Sequence, residues 1–174
     1  MGAEVHAGAE RDLLLGRLAG QRRHVLAAVD GLSDEQLRRS VLPSGWNPVG
    51  LVRHLTLGLE RYWFGTVMGG APLDYWPAGL GPDDGAADWR VGDEESPAEV
   101  LEEYRRAIEA SDAVIASLEL EAPPALPEPW WPDAGLSFPD LRSVVVHVLV
   151  DTATHAGHLD AVRELIDGHQ HLVL

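Results

Sequence analysis

The sequence contains no cysteine, and all thirteen of its basic residues are arginine, so lysine is also absent. Without cysteine, disulfides and thiolate metal sites are excluded, and any metal has to be held by imidazole and carboxylate groups. Without lysine, Schiff-base chemistry and a P-loop are excluded. The chain also lacks a run of about 18 apolar residues, so no transmembrane helix is expected.

Basic charge is scarce: 28 acidic residues face 13 basic ones, for a formal charge of −15. A field of that sign repels phosphate backbones and anionic lipid, so we expect neither nucleic acid nor a membrane as a partner. The length of 174 residues and a hydrophobic share of 45% predict one domain, 1–174, with a real core. The opening MGAEVHAGAERD has no basic n-region and no apolar h-region. We therefore expect no signal peptide and a cytoplasmic protein.

The hydrophobic pattern repeats at three- and four-residue steps in four long segments, and no segment alternates convincingly with period two. Residues 1–8 are small and polar and are expected to fray. Capping patterns at Ser33, Asn47 and Ser96 predict helix starts, the first of them for a short helix. The fold class predicted is all-α, a four-helix bundle with long crossover loops. Its long helices are expected at about 10–30, 48–68, 97–118 and 138–167.

Two connections are long and rich in tryptophan. The segment 69–95 contains Trp76 and Trp89 and is longer than a compact domain usually tolerates without purpose, so we expect it to form a lid or to shape a pocket. The segment 119–137 contains Trp130 and Trp131, for which burial against the end of the bundle is the favoured interpretation.

The densest set of possible metal ligands lies on the last helix. An α-helix turns about 100° per residue, so residues four apart stand nearly above one another. Asp151 and His155 therefore share one face, with His158 close by and His147 a turn earlier. A carboxylate and an imidazole in this relation can share one divalent cation, as the two imidazoles of an HExxH helix do.

A third ligand is available from the second helix, where His54 lies in the apolar stretch LVRHLTLGLERYWF. If the two helices face each other, His54, Asp151 and His155 form a three-ligand site with open positions, the catalytic arrangement for zinc. Iron(II), nickel and manganese also suit this donor set. The alternative is that His54 is an ordinary core or surface histidine, that Asp151 is solvated, and that the clustering of three histidines arises by chance in a chain with eight.

Two stretches, WNPVGLVRHLTLGLERYW at 46–63 and DTATHAGHLDAVRELIDG at 151–168, resemble the signature segments of the DinB/YfiT-like superfamily. The resemblance is closest to an actinobacterial branch that is related to mycothiol-dependent maleylpyruvate isomerase. It implies an up-down-down-up four-helix bundle and a divalent metal held by His54, Asp151 and His155. The position of Asp151 is commonly His in the wider superfamily and Glu in the isomerase branch, so the shorter carboxylate here departs from the pattern.

The resemblance also implies a function, in which the metal binds a low-molecular-weight thiol and presents it to an electrophile. The expected protein is a thiol-dependent S-transferase or isomerase of the mycothiol type, with zinc as the first choice of metal and nickel or iron as others. His158 is a candidate acid or base, and Arg163 is a candidate for reading a substrate carboxylate. The alternatives are a metal-dependent hydrolase and a non-catalytic, dimeric, stress-associated module with a weakened site. A homodimer is expected by analogy.

Overall fold

The computed structural model of the protein describes residues 2–74 and 87–171, and within these ranges every regular element is a helix. The predicted all-α class is therefore confirmed for the described residues. The α-helices are α1 (Gly2–Val29), α2 (Asp34–Leu37), α3 (Pro48–His54), α4 (Pro97–Ala116) and α5 (Leu141–Asp167). A π-helical segment, Leu55–Met68, continues α3 without a break, and a 3-10 helix spans Ala87–Trp89.

The starts of the later helices follow the capping patterns in the sequence. Ser33 and Ser96 each begin a capping box, and the side chain of Asn47 accepts a hydrogen bond from the Gly50 N–H at 2.8 Å. Asp140 caps α5 by accepting from the Ser143 N–H at 2.8 Å. These caps satisfy backbone donors that a helix start leaves unpaired, so the sequence specifies these boundaries locally.

Three predicted boundaries or geometries need correction. First, α1 begins at Gly2, so the lead-in expected to fray is helical and continues the first long helix toward the N-terminus. Second, α4 ends at Ala116, two residues before the predicted 118, and α5 begins at Leu141, three residues after the predicted 138, because Asp140 is its N-cap. Third, the second half of the predicted 48–68 helix has the wider π geometry, in which a donor reaches five residues back, as the Gly69 N–H does to Phe64 O at 2.9 Å.

One hydrophobic cluster joins the helices. In it, α1 packs along α5, and α4 packs along the π-helical segment and α3. Each large side chain buried this way stabilises the fold by roughly 1.5–3 kcal/mol relative to exposure. The fully buried members include Leu18, Val25, Leu51, Phe64, Tyr104, Ile115, Val144, Val148 and Leu159.

The tryptophans of the two long connections divide between core and surface. Trp131 is buried against Trp63 and Phe138, whereas Trp130 is half exposed. Trp89 lies on the 3-10 helix, within the segment 69–95 that was predicted to form a lid. Residues 75–86 of that segment, with Trp76, lie outside the described residues. Among the described residues, no helix is both long enough and apolar enough to cross a membrane.

Candidate metal centre

The structure brings His54, Asp151 and His155 together, as the sequence predicted. One donor atom from each side chain lies within 4.8 Å of the donors of the other two. On α5, Nε2 of His155 is 3.3 Å from Oδ1 of Asp151, the expected relation of residues four apart. His54, the last residue of α3, brings its ring to 5.0 Å from that of His155. The three side chains thus form one compact group of two imidazoles and a carboxylate.

His54 stands at the junction between α3 and the π-helical segment. Segments of π geometry inside α-helices are rare and frequently lie at functional sites. Because the hydrogen-bonding step changes directly after His54, the residues that follow are turned relative to an uninterrupted α-helix. The candidate ligand therefore lies at the point where this helix changes from α to π geometry.

A fourth side chain, Asp88, contacts the group and was missed by the sequence analysis. Oδ2 of Asp88 is 2.6 Å from Nδ1 of His54, and the two side chains are only 13% and 17% exposed. A carboxylate on Nδ1 fixes the imidazole with its proton on that nitrogen and leaves Nε2 as the lone pair for a cation. This is the usual outer partner of a metal-binding histidine.

Two glycines allow the 3-10 helix to approach His54 this closely. A Cβ at Gly50 would lie 2.5 Å from the carbonyl oxygen of Trp89, and a Cβ at Gly58 would lie 2.9 Å from Oδ2 of Asp88. The two glycines lie four residues before and four residues after His54. Their missing side chains leave space beside His54 for the 3-10 helix. Glycines inside a helix at this spacing were the available signal that something packs on His54.

An aromatic ring covers the imidazole that Asp88 orients. The indole of Trp89 stacks on His54 with ring centres 4.3 Å apart and planes inclined by 13°. It also contacts His155 edge-on at 5.6 Å and lies 6.3 Å from Trp46. This apolar wall on one side of the imidazoles limits the directions from which water reaches them.

The electrostatics of the group favour a charged carboxylate at Asp151. The hydrogen bond with His155 lowers the pKa of Asp151, against the opposing effect of burial, and His54 and His147 add to the lowering. Burial lowers the pKa of His147, which packs against Trp63 and Phe138, and Asp151 offsets this in part. An ionised carboxylate is the form that binds cations.

The donors fit a divalent cation of the borderline class. Two imidazoles and one carboxylate are the three-ligand pattern of catalytic zinc sites and also suit nickel and iron(II). The hydrogen bonding of His155 is incomplete without a ligand, since its buried Nδ1 has no partner among the described residues. A cation held by these side chains would use lone pairs that the protein leaves available.

The other two predicted site residues lie outside this group of ligands. His158 is exposed on the next turn of α5, with its ring 5.6 Å from that of His155 and 6.4 Å from Trp46. Its acid or base role stays a prediction.

Arg163 is engaged elsewhere. Its guanidinium donates to the carboxylate of Asp167 and to the carbonyl oxygens of Ala28 and Asp30, where it caps the end of α1. The substrate-binding role proposed for Arg163 stays a prediction. On α5, Arg163 forms an ion pair with Asp167, whereas Asp160 contacts His24.

Fold and site together define a helical protein with a His/Asp/His candidate metal centre. A comparison with protein-family models matches residues 13–168 to the family described as mycothiol-S-transferase. The chain belongs to this family, which is DinB/YfiT-like, so the resemblance seen in the sequence is confirmed. A search of curated proteins found no match for the chain.

Proposed function

We propose that the protein is a divalent-metal-dependent enzyme that uses a thiol of the mycothiol type in an S-transfer or a thiol-assisted isomerisation. The observation that carries the proposal is the convergence of His54, Asp151 and His155, with donor atoms within 4.8 Å of one another, in a chain of the mycothiol-S-transferase family. The geometry of the site supports a bound cation, and the family supports the thiol chemistry.

His54, Asp151 and His155 are the residues that would hold the cation. Aspartate stands where relatives of the isomerase branch have glutamate, yet one of its carboxylate oxygens lies within 4.8 Å of a ring nitrogen of each imidazole. When bound, a divalent cation with an open position supplies Lewis acidity, which lowers the pKa of a thiol and favours the nucleophilic thiolate.

The chain's own residues orient the site and leave the nucleophile to the co-substrate. Asp88 holds the His54 ring, and Trp89 shields one side of it. The sequence offers neither cysteine nor lysine as a nucleophile, so the attacking sulfur has to come from a small thiol. In the transfer, this sulfur forms the new bond to the electrophile, the leaving group departs with its electron pair, and a base takes the thiol proton. His158, exposed beside His155, is our candidate for that base.

The same proposal includes the finer features expected from the family. Zinc is the first choice of metal, with nickel or iron as the others. The four long helices are arranged up-down-down-up in one domain, 1–174. The protein is a cytoplasmic homodimer that acts on a small electrophile.

Two measurements on the same preparation test this function. The cobalt-substituted protein should develop a sulfur-to-cobalt charge-transfer absorption when mycothiol is added, and the zinc protein should consume mycothiol in the presence of an electrophilic alkyl or aryl halide. The His155→Ala variant should lose both signals. Hydrolysis of activated esters without any response to thiol would favour the hydrolase, and neither activity with a loaded site would favour the non-catalytic module.

A further inference from the structure

A second group of two imidazoles and one carboxylate lies on the other side of α5. His24 of α1, Asp160 of α5 and His171 of the segment after α5 each offer a donor atom, and these atoms lie within 4.8 Å of one another. We propose that these three residues bind a second divalent cation, of the zinc, nickel or copper class, that fastens residues 168–171 to α1 and α5.

The pair at the centre of this group is already in direct hydrogen-bonding contact. Nε2 of His24 is 2.9 Å from Oδ1 and 2.8 Å from Oδ2 of Asp160, so the ring nitrogen faces both oxygens of the carboxylate. The side chains of His24 and Asp160 are 18% and 27% exposed, which leaves the group accessible to an ion from solvent. A cation can take the place of the proton that this pair shares.

The third ligand reaches the pair because the chain reverses after α5. Gly168 adopts a left-handed backbone with φ of 78°, and the His169 N–H donates to Oδ1 of Asp167 at 3.0 Å. Gln170 then donates to Oε1 of Glu164 at 2.7 Å. These contacts turn the segment back along α5 and place His171 beside His24 and Asp160.

The ring of His171 needs a modest adjustment to coordinate. It now stacks on the ring of His24, with centres 4.0 Å apart and planes inclined by 20°. Stacked rings do not aim their lone pairs at one point, and donors of a tetrahedral zinc site lie about 3.4 Å apart for bonds of roughly 2.1 Å. His171 is exposed, so rotation of its side chain can bring a nitrogen toward the carboxylate without disturbing the core.

The two groups should load independently. Asp160 follows His155 by five residues, which on an α-helix corresponds to about 7.5 Å along the axis and about 140° around it. The second group therefore faces α1, whereas the first faces α3. No residue is shared between the two groups, so the second site does not depend on the proposed function.

The test is a zinc titration of the chelator-treated, untagged protein against a chromophoric competitor. The wild type should bind two equivalents, and His171→Ala should bind one, with at least a tenfold weaker second step if any remains. The matched control is His169→Ala, which removes another exposed histidine of the same segment and should leave both equivalents in place. His54→Ala should retain the second equivalent and lose the first.

The NMR chemical shifts of the His171 ring provide an independent measurement. Its ring carbon and nitrogen shifts should change with the second equivalent of zinc in both the wild type and His54→Ala. The proposal would be overturned if His54→Ala bound no zinc, or if His171→Ala bound its second equivalent as tightly as the wild type does. In either case, the group would be an ion pair between His24 and Asp160 with a stacked neighbour and no cation.

Discussion

Removing the carboxylate of Asp88 should weaken metal binding although Asp88 is not one of the three proposed ligands. Its Oδ2 accepts a 2.6 Å hydrogen bond from Nδ1 of His54, and both side chains are largely buried. Without this acceptor, the His54 ring loses its fixed tautomer and orientation, and Nε2 is no longer held toward Asp151 and His155. We therefore expect Asp88→Asn and Asp88→Ala to bind zinc more weakly, the alanine variant most of all.

Two arguments give the same magnitude for this loss. A hydrogen bond to a charged group contributes about 1.5–3 kcal/mol, and a cation on Nε2 strengthens it because it makes the Nδ1 proton more acidic. Loss of an outer partner of a metal ligand typically costs about 10–100-fold in affinity, equivalent to about 1.4–2.7 kcal/mol. We expect roughly tenfold for Asp88→Asn, which keeps a neutral acceptor, and up to about 100-fold for Asp88→Ala.

The assay is a competition titration that measures the dissociation constant of zinc at the site that His54→Ala removes. The matched control is Asp93→Asn, which makes the same charge change at an exposed position in the segment that follows the 3-10 helix. Circular dichroism and a thermal melt verify that each metal-free variant folds. If Asp88→Ala and Asp93→Asn changed the affinity equally, or both by less than twofold, the positioning role of Asp88 would be refuted.

Three further changes test other parts of the account. Gly58→Ala should weaken zinc binding by displacing the carboxylate that orients His54, whereas Gly65→Ala, in the same segment with open space at its Cβ, should not; the competition titration decides. Arg22→Ala should lower the free energy of unfolding, measured in urea, by roughly 3–5 kcal/mol, because the buried carboxylate of Glu60 would lose its ion-pair partner. The control Arg105→Ala, which removes an exposed ion pair, should change it by less than about 1 kcal/mol. In the metal-free protein, NMR titration should find the pKa of Asp151 below its ordinary value. The stability that this carboxylate contributes is therefore fully present above its unfolded-state pKa and is lost as the pH falls through its folded-state pKa. An unshifted pKa would contradict the contact with His155.

The features of the fold that depend on nearby residues could be predicted from the sequence. Caps at Asn47 and Ser96 act within three residues, so their side chains specify the helix starts by themselves. The ligand pair on α5 is likewise a consequence of helix geometry, since Asp151 and His155 are four residues apart. His54 required the further assumption that its helix faces α5, which the apolar patterns of both helices favoured.

The features that depend on distant packing could not be read from local patterns. Asp88 follows a long connection with no periodicity, and only its approach across Gly50 and Gly58 brings it to His54. The apolar residues of Leu55–Met68 are compatible with either α or π geometry, so the change of geometry after His54 could not be predicted from them. His24 and His171 are far apart in the chain, and they meet only because the chain turns at Gly168, after α5.

The most direct test of the central claim is a crystal structure of the zinc-soaked protein with anomalous diffraction measured at the zinc edge. We expect an anomalous peak bonded to Nε2 of His54, a carboxylate oxygen of Asp151 and a ring nitrogen of His155, at about 2.0–2.2 Å from each, with Asp88 still on Nδ1 of His54. The absence of a peak among these three side chains at full soaking, or a peak that leaves out His54, would contradict it.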